Sequence, residues 1–170
     1  VDLRSSGKDL VPNHLLFFLF HHVALFEEEN WPRALAVNGF VSLEGQKMSK
    51  SKGPILTLES AVSEYGADIT RLYILSTAEQ TQDADWHKAG IDSARRQVDR
   101  FYSFAKDVIE SGKRANLSTE LKQIDRWMLS RMQNHIRETN IALDAIQTRE
   151  AIQNSFFLLI NDVKWYQRRG

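Results

Sequence analysis

The stretch ALAVNGFVSLEGQKMSKSKGP, residues 34–54, contains the two features that decide the fold. Residues 34–43 are apolar, partly β-branched and followed by a Glu-Gly pair, a pattern that predicts a buried strand and a turn. Lys47, Lys50 and Lys52 follow within six residues, among small side chains that cannot pack on a core. Open α/β sheets bind ligands at the carboxyl ends of their strands, so the stretch predicts a basic ligand-binding loop there.

The sequence before this stretch predicts one strand and one helix. Residues 1–9 read as the end of a strand that turns at a Ser-Gly pair, and from Asn13 a helical pattern extends to about Glu28. The most apolar run, residues 15–26, is too short to span a bilayer and carries two central histidines. We therefore expect a buried helix, no membrane span and no signal peptide.

After the lysine loop the pattern is helical. Thr57 can cap a helix that ends near Gly66, and Asp68 can cap a second helix that runs to Thr77. A third helix is predicted to begin at residues 83–85 and to end at a Ser-Gly pair. Its buried stripe follows the spacing of one helix face and comprises Ile91, Ala94, Val98, Phe101, Ala105 and Val108.

Residues 112–119 are polar and predict a linker between subdomains. Beyond them Asp125 suits an N-cap, and an apolar face runs from Met128 to Ile146. Thr148 can cap a last helix. Two helices joined by such a short turn are expected to pack antiparallel as part of a bundle.

Composition indicates a soluble globular protein, with 42% hydrophobic and 26% charged residues among 170. The chain has 22 basic and 22 acidic residues, but residues 1–92 carry a net charge of −5 and residues 93–170 a net charge of +5. The basic half is either a surface for a polyanion or a set of solvated helices. The absence of cysteine excludes disulfides and thiolate metal sites, and it is compatible with the cytosol.

Residues 47–51 spell KMSKS, and this loop resembles the signature loop of the class I aminoacyl-tRNA synthetases. The segments SGKDLVPNHLLFFLFHHVALF, residues 6–26, and WPRALAVNGFV, residues 31–41, resemble the second half of the catalytic domain of leucyl-tRNA synthetases of archaeal and eukaryotic-cytosolic type. ADITRLYILST, residues 67–77, resembles the helical junction after the loop. DRWMLSRM and NDVKWYQRRG resemble the start of the anticodon-binding domain.

The resemblance implies an α/β remnant, the second half of a Rossmann-type catalytic domain with parallel strands, followed by mostly α-helical segments. The expected organisation is a catalytic part over residues 1–56, a helical stem-contact junction over 57–111, a linker over 112–119 and the start of a helical anticodon-binding domain over 120–170. Helix is expected to dominate the chain as a whole.

The resemblance also implies the site. Lysine charge on a mobile loop can stabilise negative charge that develops on a triphosphate as it is split. In the family pattern the catalytic positions are Lys47 and Lys50. The ATP-binding positions are Gly7, Asp9, His14, Met48, Ser49 and Ser51, with Asp9 suited to the ribose hydroxyls. Lys52 lies outside the motif and is expected to be solvated.

The implied substrates are ATP with Mg²⁺, leucine and tRNA(Leu), with no metal bound by the protein itself. Leucine would be activated to leucyl-adenylate and transferred to the tRNA. Arg168 and Arg169 are candidate contacts to tRNA phosphates, although basic residues at a helix end also suit the helix dipole. A cytoplasmic monomer is expected.

The sequence departs from the family pattern in two ways. It holds no HIGH-type tetrapeptide, so the chain is expected to carry about half of an active site and to be inactive alone. Pro54 follows Gly53 where Gly-Asn is frequent, which removes one backbone donor. Alternatives are an isoleucyl- or valyl-tRNA synthetase fragment, a non-catalytic helical tRNA-binding module, or an interaction protein derived from a synthetase.

Overall fold

The computed structural model describes residues 2–49, 53–112 and 120–169. Within these ranges helices predominate, as predicted. The strands are β1 (Leu3–Gly7), β2 (Ala34–Asn38), β3 (Val41–Leu43), β4 (Gln46–Lys47) and β5 (Ala84–Trp86). The α-helices are α1 (Leu16–Leu25), α2 (Leu58–Tyr65), α3 (Ala67–Thr77), α4 (Lys88–Gly112), α5 (Gln123–Asp144), α6 (Thr148–Ile152) and α7 (Leu159–Gln167).

Strands β1 and β2 form a parallel pair, in register from Leu3 beside Ala34 to Gly7 beside Asn38. A parallel pair needs a crossover connection. Here the crossover consists of a 3₁₀ turn, Lys8–Leu10, a π turn, Val11–Leu15, and helix α1. The carboxyl ends of both strands therefore lie at one edge.

Helix α1 is shorter and more exposed than predicted. It ends at Leu25 rather than near Glu28, because Phe26 and Glu27 adopt extended backbone before a separate 3₁₀ turn, Glu28–Asn30. The prediction of a buried helix is also wrong for this chain, since Phe17 is 60% and Phe20 63% exposed. Its apolar face has no covering layer in the described part of the chain.

The predicted strand over residues 34–43 is in fact two strands that belong to different sheets. The break falls at Gly39, where a side-chain Cβ would lie 2.1 Å from the backbone oxygen of Gln82. Strand β3 instead pairs with β4 antiparallel and with β5 parallel. The prediction of a single strand is wrong because the chain around Gln82 packs against Gly39 and leads into β5, the partner of β3. This partner lies more than forty residues away in the sequence, so a local pattern could not reveal it.

Residues 83–85 do not begin a helix, as the sequence had suggested. Residues 84–86 form β5, and α4 begins at Lys88. The carboxylates of Asp83 and Asp85 accept hydrogen bonds from the backbone of Phe40 and Gly45 instead of capping their own helix. These acidic residues thus stabilise β3 and its turn.

The first helix after the lysine loop follows the prediction. Thr57 accepts a hydrogen bond from the Ser60 amide at 3.1 Å, and Gly66, with a positive φ of 85°, ends α2. Gly66 is also the N-cap of α3. The prediction that Asp68 caps α3 is therefore wrong: Asp68 lies in the first turn, where its charge favours the helix dipole.

The main core lies after the lysine loop and joins α2, α3, β5 and α4. Trp86 packs edge-on against Tyr65 and Tyr73, with centroid distances of 5.8 and 5.5 Å. Ile91 is fully buried beside them. Tyr73 donates to the Asp85 carbonyl and accepts from the His87 amide, both at 3.0 Å, so its buried hydroxyl is satisfied.

The last helices pack antiparallel, as predicted. Trp127 of α5 lies 4.4 Å from Trp165 of α7 between ring centroids, and further along α5 Arg131 donates to Asp162 at 2.7 Å. Helix α7 continues from α6 through a π turn, Gln153–Leu158.

Two predicted caps of this bundle are corrected. Lys122 is the N-cap of α5, and Asp125, at the third helical position, accepts from the Lys122 amide at 2.8 Å. Gln147 is the N-cap of α6, so Thr148 is the first helical residue. Of the predicted linker, Gly112 is the last residue of α4, and residues 113–119 lie outside the described part of the chain. No helix within the described residues is long and apolar enough to cross a membrane.

Candidate active site

The turn after β1 brings Asp9 over Gly7. A Cβ placed on Gly7 would lie 2.8 Å from Asp9 Oδ1, so a side chain at residue 7 would make the Asp9 carboxylate shift. Asp9 is exposed, and its backbone oxygen accepts from the Asn13 side chain at 3.1 Å. The structure thus brings together two of the predicted ATP-binding residues at the carboxyl end of β1.

His14 lies in the π turn that follows, with an exposed side chain. Its backbone amide donates to the Asn13 side chain, and its ring stacks on Phe18 at 6.5 Å between centroids. Asn13 therefore connects Asp9 and His14 through local hydrogen bonds. The predicted site residues 7, 9 and 14 thus follow one another from the end of β1 through the 3₁₀ turn and the π turn.

The lysine loop reaches the same edge by a different path from the one predicted. It does not leave the carboxyl end of a parallel strand; it follows a hairpin whose turn residues, Glu44 and Gly45, have positive φ values of 48° and 76°. Strand β4 then pairs Lys47 with Ser42 antiparallel to β3. The loop therefore runs back along β3 towards Phe40, just beyond the carboxyl end of β2.

Phe40 is the point at which the two parts of the site meet. The Lys8 Nζ lies 5.2 Å and the Lys47 Nζ 5.6 Å from the centroid of the Phe40 ring. Lys8 stands between Gly7 and Asp9 in the chain and forms an ion pair of 2.6 Å with Asp83. The turn after β1 and the start of the lysine loop therefore converge on one aromatic ring.

Hydrogen bonding from Lys8 is the main cause that lowers the pKa of Asp83, and the Phe40 amide adds to it. Asp83 is consequently ionised at neutral pH and offsets the Lys8 charge. Within the described residues no carboxylate forms an ion pair with Lys47. Among the described residues at this edge, the Lys47 ammonium is therefore a positive charge with no carboxylate paired to it.

The hairpin turn is fixed by a histidine between two carboxylates. His87 Nδ1 lies 2.8 Å from Glu44 Oε2, and His87 Nε2 lies 2.6 Å from Asp85 Oδ2. Asp85 also accepts from the Gly45 amide at 3.0 Å. The hydrogen bond to Glu44 is the main cause that raises the pKa of His87. The segment that leads from β5 into α4 is thereby connected to the hairpin turn that precedes Lys47.

The rest of the loop is only partly described. Met48 and Ser49 are half-buried, and the Ser49 carbonyl accepts from the Gly53 amide at 3.3 Å. Two predicted site residues, Lys50 and Ser51, lie outside the described residues, as does Lys52.

Arg168 and Arg169 are exposed at the end of α7, on a different element from the edge site. The Arg169 guanidinium lies 4.2 Å from the centroid of the Trp165 ring.

Sequence reasoning missed Lys8, Phe40 and Asp83. Lys8 and Phe40 both lie in segments that carry the family resemblance. A single lysine or phenylalanine is nevertheless too common in surface loops to indicate a site by itself. Asp83 had no signal at all, because its contacts are with residues more than forty positions away. No group of three His, Cys, Asp or Glu side chains suited to a metal ion occurs in the described ranges.

The family model for class I tRNA synthetases (M) matches residues 4–97. The match covers more than half of the chain and includes most of β1, the lysine loop and the core that follows. The chain belongs to the class I tRNA synthetase family.

Individual relatives are more specific. The chain is 92% identical over all 170 residues to the leucine–tRNA ligase of Methanosarcina mazei and 93% identical to that of Methanosarcina acetivorans, in each case spanning 18% of the relative's length. The leucine–tRNA ligase of Pyrococcus horikoshii is 52% identical over 169 residues, which are 99% of this chain and 17% of that protein.

A solved structure shares the fold. The crystal structure of the ternary complex of Agrobacterium radiobacter K84 agnB2 LeuRS-tRNA-LeuAMS aligns with all of this chain and 23% of its own, at a TM-score of 0.84 and 19% identity.

Proposed function

We propose that this chain is part of a leucine–tRNA ligase that activates leucine with ATP and transfers it to tRNA(Leu). The convergence of the KMSKS lysine Lys47 with the Gly7–Asp9 turn at one edge carries the proposal. The high identity to leucine–tRNA ligases favours leucine over isoleucine or valine. In the whole protein this chain would supply the second half of the catalytic domain, the stem-contact junction and the start of the anticodon-binding domain.

In the first step the leucine carboxylate attacks the α-phosphorus of ATP. A bond from the carboxylate oxygen to phosphorus forms as the bond to pyrophosphate breaks. The carboxylate is already a nucleophile, so no general base is needed. The 2′-hydroxyl of the terminal tRNA adenosine then attacks the leucyl carbonyl, and AMP leaves.

The residues of this chain act on the first step through charge and position. Lys47 and Lys50 would stabilise negative charge on the phosphates as the bond breaks. Asp9 would accept from the ribose hydroxyls across Gly7, with His14 at the same nucleotide site. Met48 would lie against the adenine, and Ser49 and Ser51 would shape the loop so that its backbone approaches the nucleotide.

Mg²⁺ would enter with ATP, held by phosphate oxygens and water rather than by a protein cluster. Arg168 and Arg169 would contact tRNA phosphates. A cytoplasmic monomer is the simplest form of such an enzyme.

Leucine-dependent ATP–pyrophosphate exchange by the full-length protein tests the proposal. Lys47→Ala and Lys50→Ala should each lower kcat by about 10²–10³-fold with little change in the KM for leucine. Lys52→Ala, which alters a lysine outside the motif, is the matched control and should change kcat little. A variant series that altered only leucine affinity would contradict the assigned roles.

Two further measurements separate the alternatives. Exchange that depends on isoleucine or valine instead of leucine would replace the amino acid in the proposal. Binding of tRNA by a full-length protein that neither binds nor hydrolyses ATP would favour the non-catalytic helical module.

A further inference from the structure

We infer that Phe40 is a positioning residue that holds the Lys47 ammonium group at the edge of the site before the nucleotide arrives. This inference rests on the proposed function for its catalytic consequence, but the contact itself can be tested without it. Phe40 belongs to neither the KMSKS motif nor the set of predicted ATP-binding residues.

The first step is that Phe40 is itself fixed. Its amide donates to Asp83 Oδ1 at 2.8 Å, and its carbonyl accepts from the Ala84 amide at 2.8 Å. The backbone of Phe40 is therefore held from both sides by the segment that enters β5. Phe40 as a whole residue nevertheless remains 42% exposed, although a large aromatic side chain gains most free energy when it is buried.

The second step is what the ring faces. The Lys47 Nζ lies 5.6 Å from the ring centroid, within the range in which an ammonium group is attracted to an aromatic face. Lys8 reaches the same ring at 5.2 Å, but its charge is paired with Asp83 at 2.6 Å. Among the described residues, the Phe40 ring is therefore the group that attracts the Lys47 ammonium.

The third step is the consequence for turnover. A lysine side chain has four flexible bonds, and fixing them against the phosphates costs rotamer entropy. By the proposed function the Lys47 charge acts when negative charge develops on the phosphates, so this cost falls on the transition state, and a ring that already restricts the ammonium group lowers it there. Loss of the ring should therefore reduce kcat more than it raises the KM for ATP.

The activity test uses the full-length protein and leucine-dependent ATP–pyrophosphate exchange. Phe40→Leu should lower kcat by about two- to fivefold, the range that a solvent-exposed cation–π contact accounts for. Phe40→Tyr keeps an aromatic ring and should therefore retain most of the wild-type kcat. Tyr102→Leu removes a ring that is 72% exposed on α4 and is the control expected to leave exchange unchanged.

A double-mutant cycle distinguishes positioning from a structural effect. In a Lys47→Ala background Phe40→Leu should cause little further loss, because its partner is already gone. An equal loss in both backgrounds, or a Phe40→Leu protein with wild-type kcat, overturns the inference. If Phe40→Leu does not fold, a series with one to three fluorine atoms on the Phe40 ring keeps the shape and should lower kcat stepwise.

A readout independent of activity completes the test. Lysines labelled by reductive ¹³C-methylation report ring-current shifts, and substitution with Lys47→Arg identifies the Lys47 signal. That signal should be shifted upfield in the wild type and return towards the bulk lysine position in Phe40→Leu. An unshifted Lys47 signal overturns the inference. A shifted signal in a protein without exchange activity would overturn only the proposed function.

Discussion

The carboxylate of Glu79 accepts a hydrogen bond from the backbone amide of Glu150 at 3.0 Å, across 71 positions of the chain. Glu79 follows α3, and Glu150 lies in the first turn of α6, whose N-cap residue Gln147 forms no side-chain cap. A residue that follows α3 thus caps α6. A carboxylate at this position also interacts favourably with the helix dipole.

Replacing Glu79 by alanine should therefore weaken the connection between the end of α3 and the start of α6. We expect the free energy of unfolding to fall by about 1 kcal/mol, the usual contribution of a helix cap, as measured by urea denaturation. Glu79→Gln keeps an acceptor and should lose less. The other carboxylate oxygen of Glu79 is buried without a hydrogen-bond partner in the described residues. Because burying it costs free energy, the net decrease in stability of Glu79→Ala should be limited.

The control for Glu79 is Asp99→Asn, which removes an exposed carboxylate from the middle of α4. Its effect should stay within about 0.5 kcal/mol. Equal stability of Glu79→Ala and the wild type would show that the contact contributes nothing to the connection.

The core around Trp86 gives a second prediction. Ile91 is 0% exposed, and Ile91→Ala would leave a cavity that the surrounding rings of Tyr65 and Tyr73 fill only in part. We expect a loss of about 2–5 kcal/mol in the free energy of unfolding. Ile109→Ala, on the same helix but at a residue that is 59% exposed, should cost far less. Similar losses for the two variants would mean that α4 does not pack as described.

The helices after the lysine loop could be predicted well from sequence because their signals are local. Thr57 and Gly66 mark both ends of α2, and Ile91 and Ala94 of the predicted α4 stripe are buried. The prediction that the stripe stays buried as far as Phe101 and Val108 is wrong, since both are exposed. Antiparallel packing of α5 and α7 also followed from a short connection. These features depend on residues a few positions apart, which a single sequence displays directly.

The sheet could not be predicted in the same way, because its contacts are distant in the chain. The division of residues 34–43 into two strands depends on the contact between Gly39 and Gln82. Residues 84–86 form a strand because they pair with β3. The same holds for the site. Gly7, Asp9 and Lys47 were identified through a family motif, whereas Phe40 and Asp83 became visible only when the fold brought them together.

A third prediction concerns the polar cluster inside the terminal bundle. Asp162 accepts from Arg131 at 2.7 Å and from His135 at 2.8 Å, and His135 is buried. Burial alone would raise the pKa of Asp162, but the hydrogen bonds from His135 and Arg131 outweigh it and lower the pKa. Asp162→Asn should reduce the free energy of unfolding by about 1–3 kcal/mol, because it weakens the pairing of a buried group.

Glu138→Gln is the control for Asp162, since it alters an ion pair with Arg137 on the surface. Surface pairs contribute little, so this variant should unfold within about 0.5 kcal/mol of the wild type. If thermal and urea denaturation gave equal effects for the two variants, the cluster in the bundle would be no more important than a surface pair.

The last prediction is a pH dependence that arises from His87. Hydrogen bonding to Glu44 raises the pKa of His87, and the charge of Asp85 acts in the same direction. The folded protein therefore binds this proton more tightly than the unfolded chain does.

The stabilisation of the folded state by protonated His87 is complete below the ordinary histidine pKa of about 6.5 and is lost as the pH rises through the higher folded value. The pKa values of Glu44 and Asp85 are lowered, chiefly by hydrogen bonds from the Lys88 amide and from Ser42 respectively, so their contribution is lost at acidic pH.

The difference in urea midpoint between the wild type and His87→Gln should consequently be largest between about pH 5 and 6 and should shrink on either side. His21→Gln, at an exposed position of α1, is the matched control and should show no such maximum. Because the cluster fixes the turn before Lys47, His87→Gln should also leave Lys47 less ordered in the ¹³C-methyl spectrum. A midpoint difference that stays constant from pH 5 to pH 8 would show that the His87 charge does not hold the hairpin.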